Sequence, residues 1–116
     1  MGKEREETAQ NHQIKVLDAA YRDIEEITDF IAIEKKQPLN AIRVAKAIFL
    51  TIDRIELNSF AFKECEEIPT RTKMYRKAVS LTWIIIYRVT ALEIMILGVV
   101  HKSRKASKIR RLRKPN

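Results

Sequence analysis

Residues 76–104 read RKAVSLTWIIIYRVTALEIMILGVVHKSR, and how this stretch folds decides the architecture. Two apolar, β-branched runs, Trp83–Val89 and Ile94–Val100, flank the four residues Thr90–Glu93. Val, Ile, Tyr and Trp suit a pleated, half-buried surface, and runs this short suit strands better than helices. A four-residue gap fits an antiparallel hairpin, although it lacks the Asn-Gly or Asp-Gly pair that favours the tightest turns. The nearly unbroken apolar character of Ile94–Val100 puts that strand inside the sheet, with little of either face in water. Arginines stand at both ends of the stretch and His101 closes the second run, so polar groups gather along one end of the expected sheet. As a bilayer span, Val79–Val100 is interrupted by Arg88 and Glu93, each costing roughly 2.5–3.5 kcal/mol at the membrane centre. A sheet in water is the better account.

Outward from this centre, Lys73–Leu81 gives the preceding strand. Asn58–Thr70 (NSFAFKECEEIPT) reads as a loop with Phe60, Phe62 and Ile68 folded beneath it. Ahead of the loop, Ala41, Ala45, Ile48, Ile52 and Ile55 recur at helical spacing after Pro38, and Ile42 and Phe49 widen that stripe. An earlier helix shows Ala20, Ile24, Ile27 and Ile31 on one face. Asp18 sits where an N-cap belongs, and Lys35 and Lys36 suit the C-terminus. Glu25, Glu26 and Asp29 take the solvated face; no histidine accompanies them, so no metal and no cofactor is implied. The short connection makes the two helices an antiparallel hairpin. Gln13–Leu17 is a short first strand, and residues 1–12 are polar and expected to be disordered. Helices and strands segregate, which defines an α+β domain over residues 13–102: a short N-terminal strand, a helical hairpin, then a three-stranded antiparallel sheet.

With 116 residues the chain has room for one core. Its single cysteine, Cys65, excludes an internal disulfide and fits a reducing compartment. The neighbouring glutamates in KECEEIP would push the thiol pKa up, away from nucleophilic chemistry. The start, MGKEREETAQNHQ, lacks the apolar core of a signal peptide, and Glu6 occupies the Ser/Thr position of a myristoylation motif. A cytoplasmic location with no membrane association is the expectation. The net charge of +8 resides wholly in the segment 103–116 and its neighbour Lys102. Lys102, Arg104, Lys105, Lys108, Arg110, Arg111, Arg113 and Lys114 are the cations, with no acid among them. We read this segment as an electrostatic arm toward phosphate or an acidic partner surface. A solvated run, or a short helix using Ile109 and Leu112 to dock on a partner, are the other two readings.

The order of elements, together with Tyr75-Arg76-Lys77, WIIIYRV at 83–89 and EIMILGVVHKSRK at 93–105, resembles the RelE/ParE superfamily of bacterial toxins. The resemblance covers about residues 13–110. It implies the toxin of a type II toxin–antitoxin pair, bound and neutralised by a cognate antitoxin in a hetero-oligomer. RelE-type members cut mRNA at the ribosome with a set of basic residues; ParE-type members share the fold and poison DNA gyrase. Two departures favour the ParE branch: Ile84 follows Trp83 where nucleases place an arginine, and Ala78 stands where a second alternate basic residue would. The C-terminal helix with a catalytic tyrosine is replaced by a tyrosine-free tail.

The chemistry gives a separate reading. Cleaving RNA through its 2′-hydroxyl needs a base, an acid and cations around the phosphorane. His101 could act as acid or base, and Arg76 and Arg104 could hold phosphate in a fork. Lys73 adds a further cation for nucleic acid or a partner. No second base is evident, so gyrase inhibition without bond cleavage is preferred over a nuclease. A basic nucleic-acid-binding or regulatory module without toxicity is the third possibility. Arg76, His101 and Arg104 are expected to meet at one rim of the sheet, provided the strand register allows it. Tyr87 and Trp83, in alternation with Ile85 and Val89, are read as packing.

Overall fold

The computed structural model describes residues 13–114; the expected disordered N-terminal extension lies outside them. The strands are β1 (Gln13–Val16), β2 (Lys63–Glu64), β3 (Tyr75–Ser80), β4 (Trp83–Val89) and β5 (Glu93–His101). The helices are α1 (Asp18–Asp29), α2 (Pro38–Leu57) and α3 (Ala106–Arg110), and α1 runs on through a π-helical turn, Phe30–Glu34.

The α+β architecture and the helical hairpin match the sequence reading, but the sheet does not. It has five strands in the order β1-β5-β4-β3-β2, and it is mixed rather than a three-stranded antiparallel unit. Strand β1 lies parallel to β5, with Ile14 opposite Ile94 and Val16 opposite Ile96. The helical hairpin supplies the long crossover that a parallel pair requires. Strand β2 adds antiparallel to β3 through Lys63–Lys77 and Glu64–Arg76. Two charged residues carry no hydropathy pattern, which is why that strand was invisible in the sequence. The β4–β5 connection is also shorter than expected, since Glu93 is already in β5.

Each face of the sheet buries its own core. On one face α1 and α2 bring Ala20, Ile24, Ile31, Val44, Ile48, Ile52 and Ile55 onto Ala78, Ile85, Tyr87, Ile94, Ile96 and Val99. Complete burial of such side chains contributes about 1.5–3 kcal/mol each, so this layer supplies most of the stability. The opposite face presents Ile84, Ile86, Met95 and Leu97, which cannot remain wet without cost. They are covered by Cys65, Ile68 and, from the C-terminal segment, Ile109 and Leu112. The basic segment is therefore not a free arm. It turns into α3, buries Ile109 to 3% exposure, and is fastened by Tyr75. The Tyr75 hydroxyl accepts from Lys114 N at 3.0 Å and donates to Lys114 O at 3.1 Å.

Two local expectations are corrected, and the helix end at Lys35 and Lys36 is as expected. Leu17, in extended conformation, is the N-cap of α1, and Asp18 is the first helical residue with no capping hydrogen bond. Its charge still complements the helix dipole. The π-turn ends on Lys36 at φ 56°, where Gln37 N donates to Ile31 O, so the chain reverses through a left-handed residue without a glycine. Ile42 and Phe49 do not widen the buried stripe of α2. They are 53% and 41% exposed, while Val44 and Thr51 take the buried positions. Among the described residues no helix is long and apolar enough to cross a membrane.

Candidate functional site at the end of β5

The register of the sheet separates the three residues expected to converge. On β3, Arg76 shares a face with Ala78, which is buried in the helix-side core. Its guanidinium is engaged locally: Nε donates to Lys73 O at 3.1 Å and Nη1 to Phe62 O at 2.8 Å, with Phe60 beneath it at 4.7 Å. Arg76 pairs with Tyr87, whereas His101 pairs with Trp83 on the other side of β4. Four residues along β4 and two strand spacings across put Arg76 and His101 on the order of 16 Å apart. Arg76 thus anchors the loop after α2 and does not join the other two. Lys73, at φ 56°, sits in the turn that Arg76 closes.

His101 and Arg104 do come together. Both line a cleft of about 400 Å³ at the outer edge of β5, between α1 and the C-terminal segment. They also line a neighbouring pocket of about 430 Å³ with Ser103, Lys105 and Lys108. Strand β1 stops pairing at Ile96, and the β5 edge beyond it is left without a strand partner. Asp23 of α1 fills the gap, accepting from Val99 N at 2.9 Å. Burial raises the Asp23 pKa above the usual carboxylate range, partly offset by that backbone N–H. A β-bulge between Ile86 and Tyr87 of β4 and the facing residues of β5 lies beside this edge. Gly98 leaves tight room there: a Cβ would lie 3.0 Å from Asp23 Oδ2 and 3.1 Å from Leu112 Cδ2, so one of these side chains would have to shift by a few tenths of an ångström.

Local bonding orders the loop after β5. Arg104 N donates to His101 O at 2.9 Å, and Lys102 N to Thr82 O at 2.9 Å. The His101 Nδ1 accepts from Ser103 N at 3.1 Å, with Ser103 Oγ at 2.8 Å. An Nδ1 that accepts from a backbone N–H leaves the ring proton of the neutral imidazole on Nε2, which is then a donor. Trp83 meets the ring edge-on at 5.1 Å and 87°, so its indole supports the histidine as well as packing on the core. Tyr87 is fully buried, donates to Ser59 O at 2.6 Å, and has its pKa raised strongly by burial.

Sequence reading missed Asp23, Ser103 and Arg88. Ser103, two residues after a histidine, carried a weak turn signal; Asp23 carried none, because its role depends on where β1 stops. Arg88 projects to the tail-covered face, where its Nε is buried without a hydrogen-bond partner among the described residues. The remaining cations Lys102, Arg110, Arg111 and Arg113 are exposed.

A helical hairpin against one face of a sheet and a basic strand end fit the architecture of the RelE/ParE superfamily that the sequence resembles. Over residues 14–106 the sequence matches the family described as ParE toxin of type II toxin-antitoxin system, parDE, and the chain belongs to that family. A solved structure described as the chromosomal ParDE TA system from P. aeruginosa has a similar fold, with TM-score 0.62 and 17% identity. The likeness covers 79% of this chain and 97% of that one. No curated protein matches the sequence.

Proposed function

We propose that this protein arrests growth by inhibiting an essential nucleic-acid machine, DNA gyrase, without breaking a phosphodiester bond, and that a cognate antitoxin neutralises it in a cytoplasmic complex. The observation that carries the reading is the separation of Arg76 from His101 and Arg104. His101 and Arg104 share their pocket with Lys105 and Lys108 but not with Arg76, so the two arginines expected to fork a scissile phosphate beside the imidazole do not meet. The sheet face opposite the helices is filled by Ile109, and its Lys77 is held 3.3 Å from Glu67.

The antitoxin has a suitable surface. Ile42, Phe49 and Leu50 on α2 are exposed and flank a groove of about 530 Å³ with Ala45, Lys46 and Asp53. An apolar stripe at helical spacing on the outer face of a helix suits the apolar side of a partner helix. An acidic antitoxin segment would complement the basic end of the molecule.

Expression of the chain alone, and together with the adjacent reading frame, tests toxicity and neutralisation. Growth arrest relieved by the neighbour is expected; unimpaired growth of the chain alone would count against a toxin. Purified protein should block gyrase supercoiling at near-stoichiometric ratio. A second reading, a ribosome-dependent endoribonuclease, draws on the shared cleft of His101 and Arg104. Ribosome-dependent mRNA cleavage abolished by His101→Ala would replace gyrase inhibition with it.

A further inference from the structure

The geometry points to a phosphate-binding pocket formed by His101, Ser103, Arg104, Lys105 and Lys108, and we propose that it takes a phosphate of a nucleic-acid backbone. The pocket, about 430 Å³, is large enough for a hydrated phosphate group. Its lining supplies three cations, a hydroxyl and an imidazole, and no carboxylate. Among the described residues the one ion pair within 4.0 Å joins Lys77 to Glu67, so none of the three cations is neutralised by a direct partner. Asp23 acts on Arg104 only at longer range, as a minor influence beside its own burial.

Three like charges within five residues repel one another, each close pair by a few tenths of a kcal/mol. A bound anion removes that repulsion and accepts from all of them. The backbone of the loop is already ordered for it by Arg104 N to His101 O, Lys108 N to Lys105 O and Ser103 N to His101 Nδ1, while the cationic side chains remain exposed and free to close on a ligand. Binding therefore costs little loop ordering. Arginine adds a planar fork suited to phosphate oxygens, and the lysines add point charge. The inference goes beyond gyrase inhibition, because the pocket can be assayed on purified protein with no reference to growth.

The test is NMR of the purified chain titrated with inorganic phosphate, with chloride at matched ionic strength as the control. A saturable shift confined to His101, Ser103 and their neighbours is expected, with none from chloride. Anisotropy with single-stranded and duplex DNA oligonucleotides then separates the possible sources of the phosphate. Arg104→Ala/Lys108→Ala should weaken oligonucleotide binding about tenfold and lower the slope of log K against log salt by about 1.4–1.8. The equally charged Arg54→Ala/Lys63→Ala, at exposed positions elsewhere, should leave it nearly unchanged. A saturable phosphate shift that neither oligonucleotide displaces would assign the pocket to a small phosphate ligand and overturn the backbone assignment. No saturable shift, or equal loss in both double variants, would overturn the pocket itself.

Discussion

Replacing Arg76 by alanine should unfold the protein more readily and should not remove a ligand contact. The guanidinium ties three segments together: the strand it stands on, the turn at Lys73 and the loop at Phe62. A hydrogen bond from a charged donor to the part-buried Phe62 carbonyl contributes about 1.5–3 kcal/mol. The exposed bond to Lys73 O and the stacking on Phe60 each add about 0.5–1 kcal/mol. These contributions share one side chain and are not additive, so the expected loss is about 2–4 kcal/mol. For a domain of this size that lowers Tm by roughly 10–20 °C. Urea denaturation should show the midpoint falling with the m-value unchanged, and growth inhibition should decline only as far as the folded fraction declines. Arg76→Lys should rescue little, since one ammonium cannot reach two carbonyls in the fork geometry. An Arg76→Ala protein of undiminished stability that no longer inhibits growth would refute this account and return Arg76 to the functional site.

The other predictions concern the tail, the sheet edge, the thiol and the outer helix face. Ile109→Ala removes most of a fully buried side chain, at a cost of about 2–4 kcal/mol that should be felt locally. Tryptic cleavage within the tail should accelerate while the core stays protected, and unchanged cleavage would deny that the tail is docked. Asp23→Asn keeps an acceptor for Val99 N but removes the buried charge. Because the folded-state pKa of Asp23 lies above 3.8, ionisation disfavours the fold. Relative to Asp23→Asn, the parent should gain stability as pH falls through the raised pKa, with the gain complete below 3.8; an opposite trend in paired urea titrations would contradict the burial. Cys65, buried and with its thiol pushed up to about 11 by burial and Glu67, should resist iodoacetamide at pH 8 until urea is added. Phe49→Asp should leave the unfolding midpoint almost unchanged and abolish antitoxin binding in a pull-down, whereas retained binding would move the antitoxin to another surface.

Periodicity alone revealed the helical hairpin, the two long strands Trp83–Val89 and Ile94–Val100, and the packing role of Tyr87. Each rests on side-chain pattern within one segment, which hydrophobic burial writes into the local sequence. The family resemblance was legible for the same reason, carried by contiguous strands and the His101–Arg104 ending. What pattern could not supply was everything decided between segments. Whether Arg76 meets His101 depends on register and on which side of β4 each strand lies, and no run of residues encodes that locally. Strand β2 exists only because β3 offers it an edge. The basic tail carries a charge pattern that reads as an electrostatic arm, yet its two apolar residues are drawn onto the sheet face formed by Ile84, Ile86, Met95 and Leu97. Asp23 acquires its place because β1 stops pairing at Ile96 while β5 runs on to His101. Local chemistry thus determined the elements and the family, and tertiary packing decided which polar groups share a pocket, because burial of distant apolar surface outweighs the few tenths of a kcal/mol by which like charges repel.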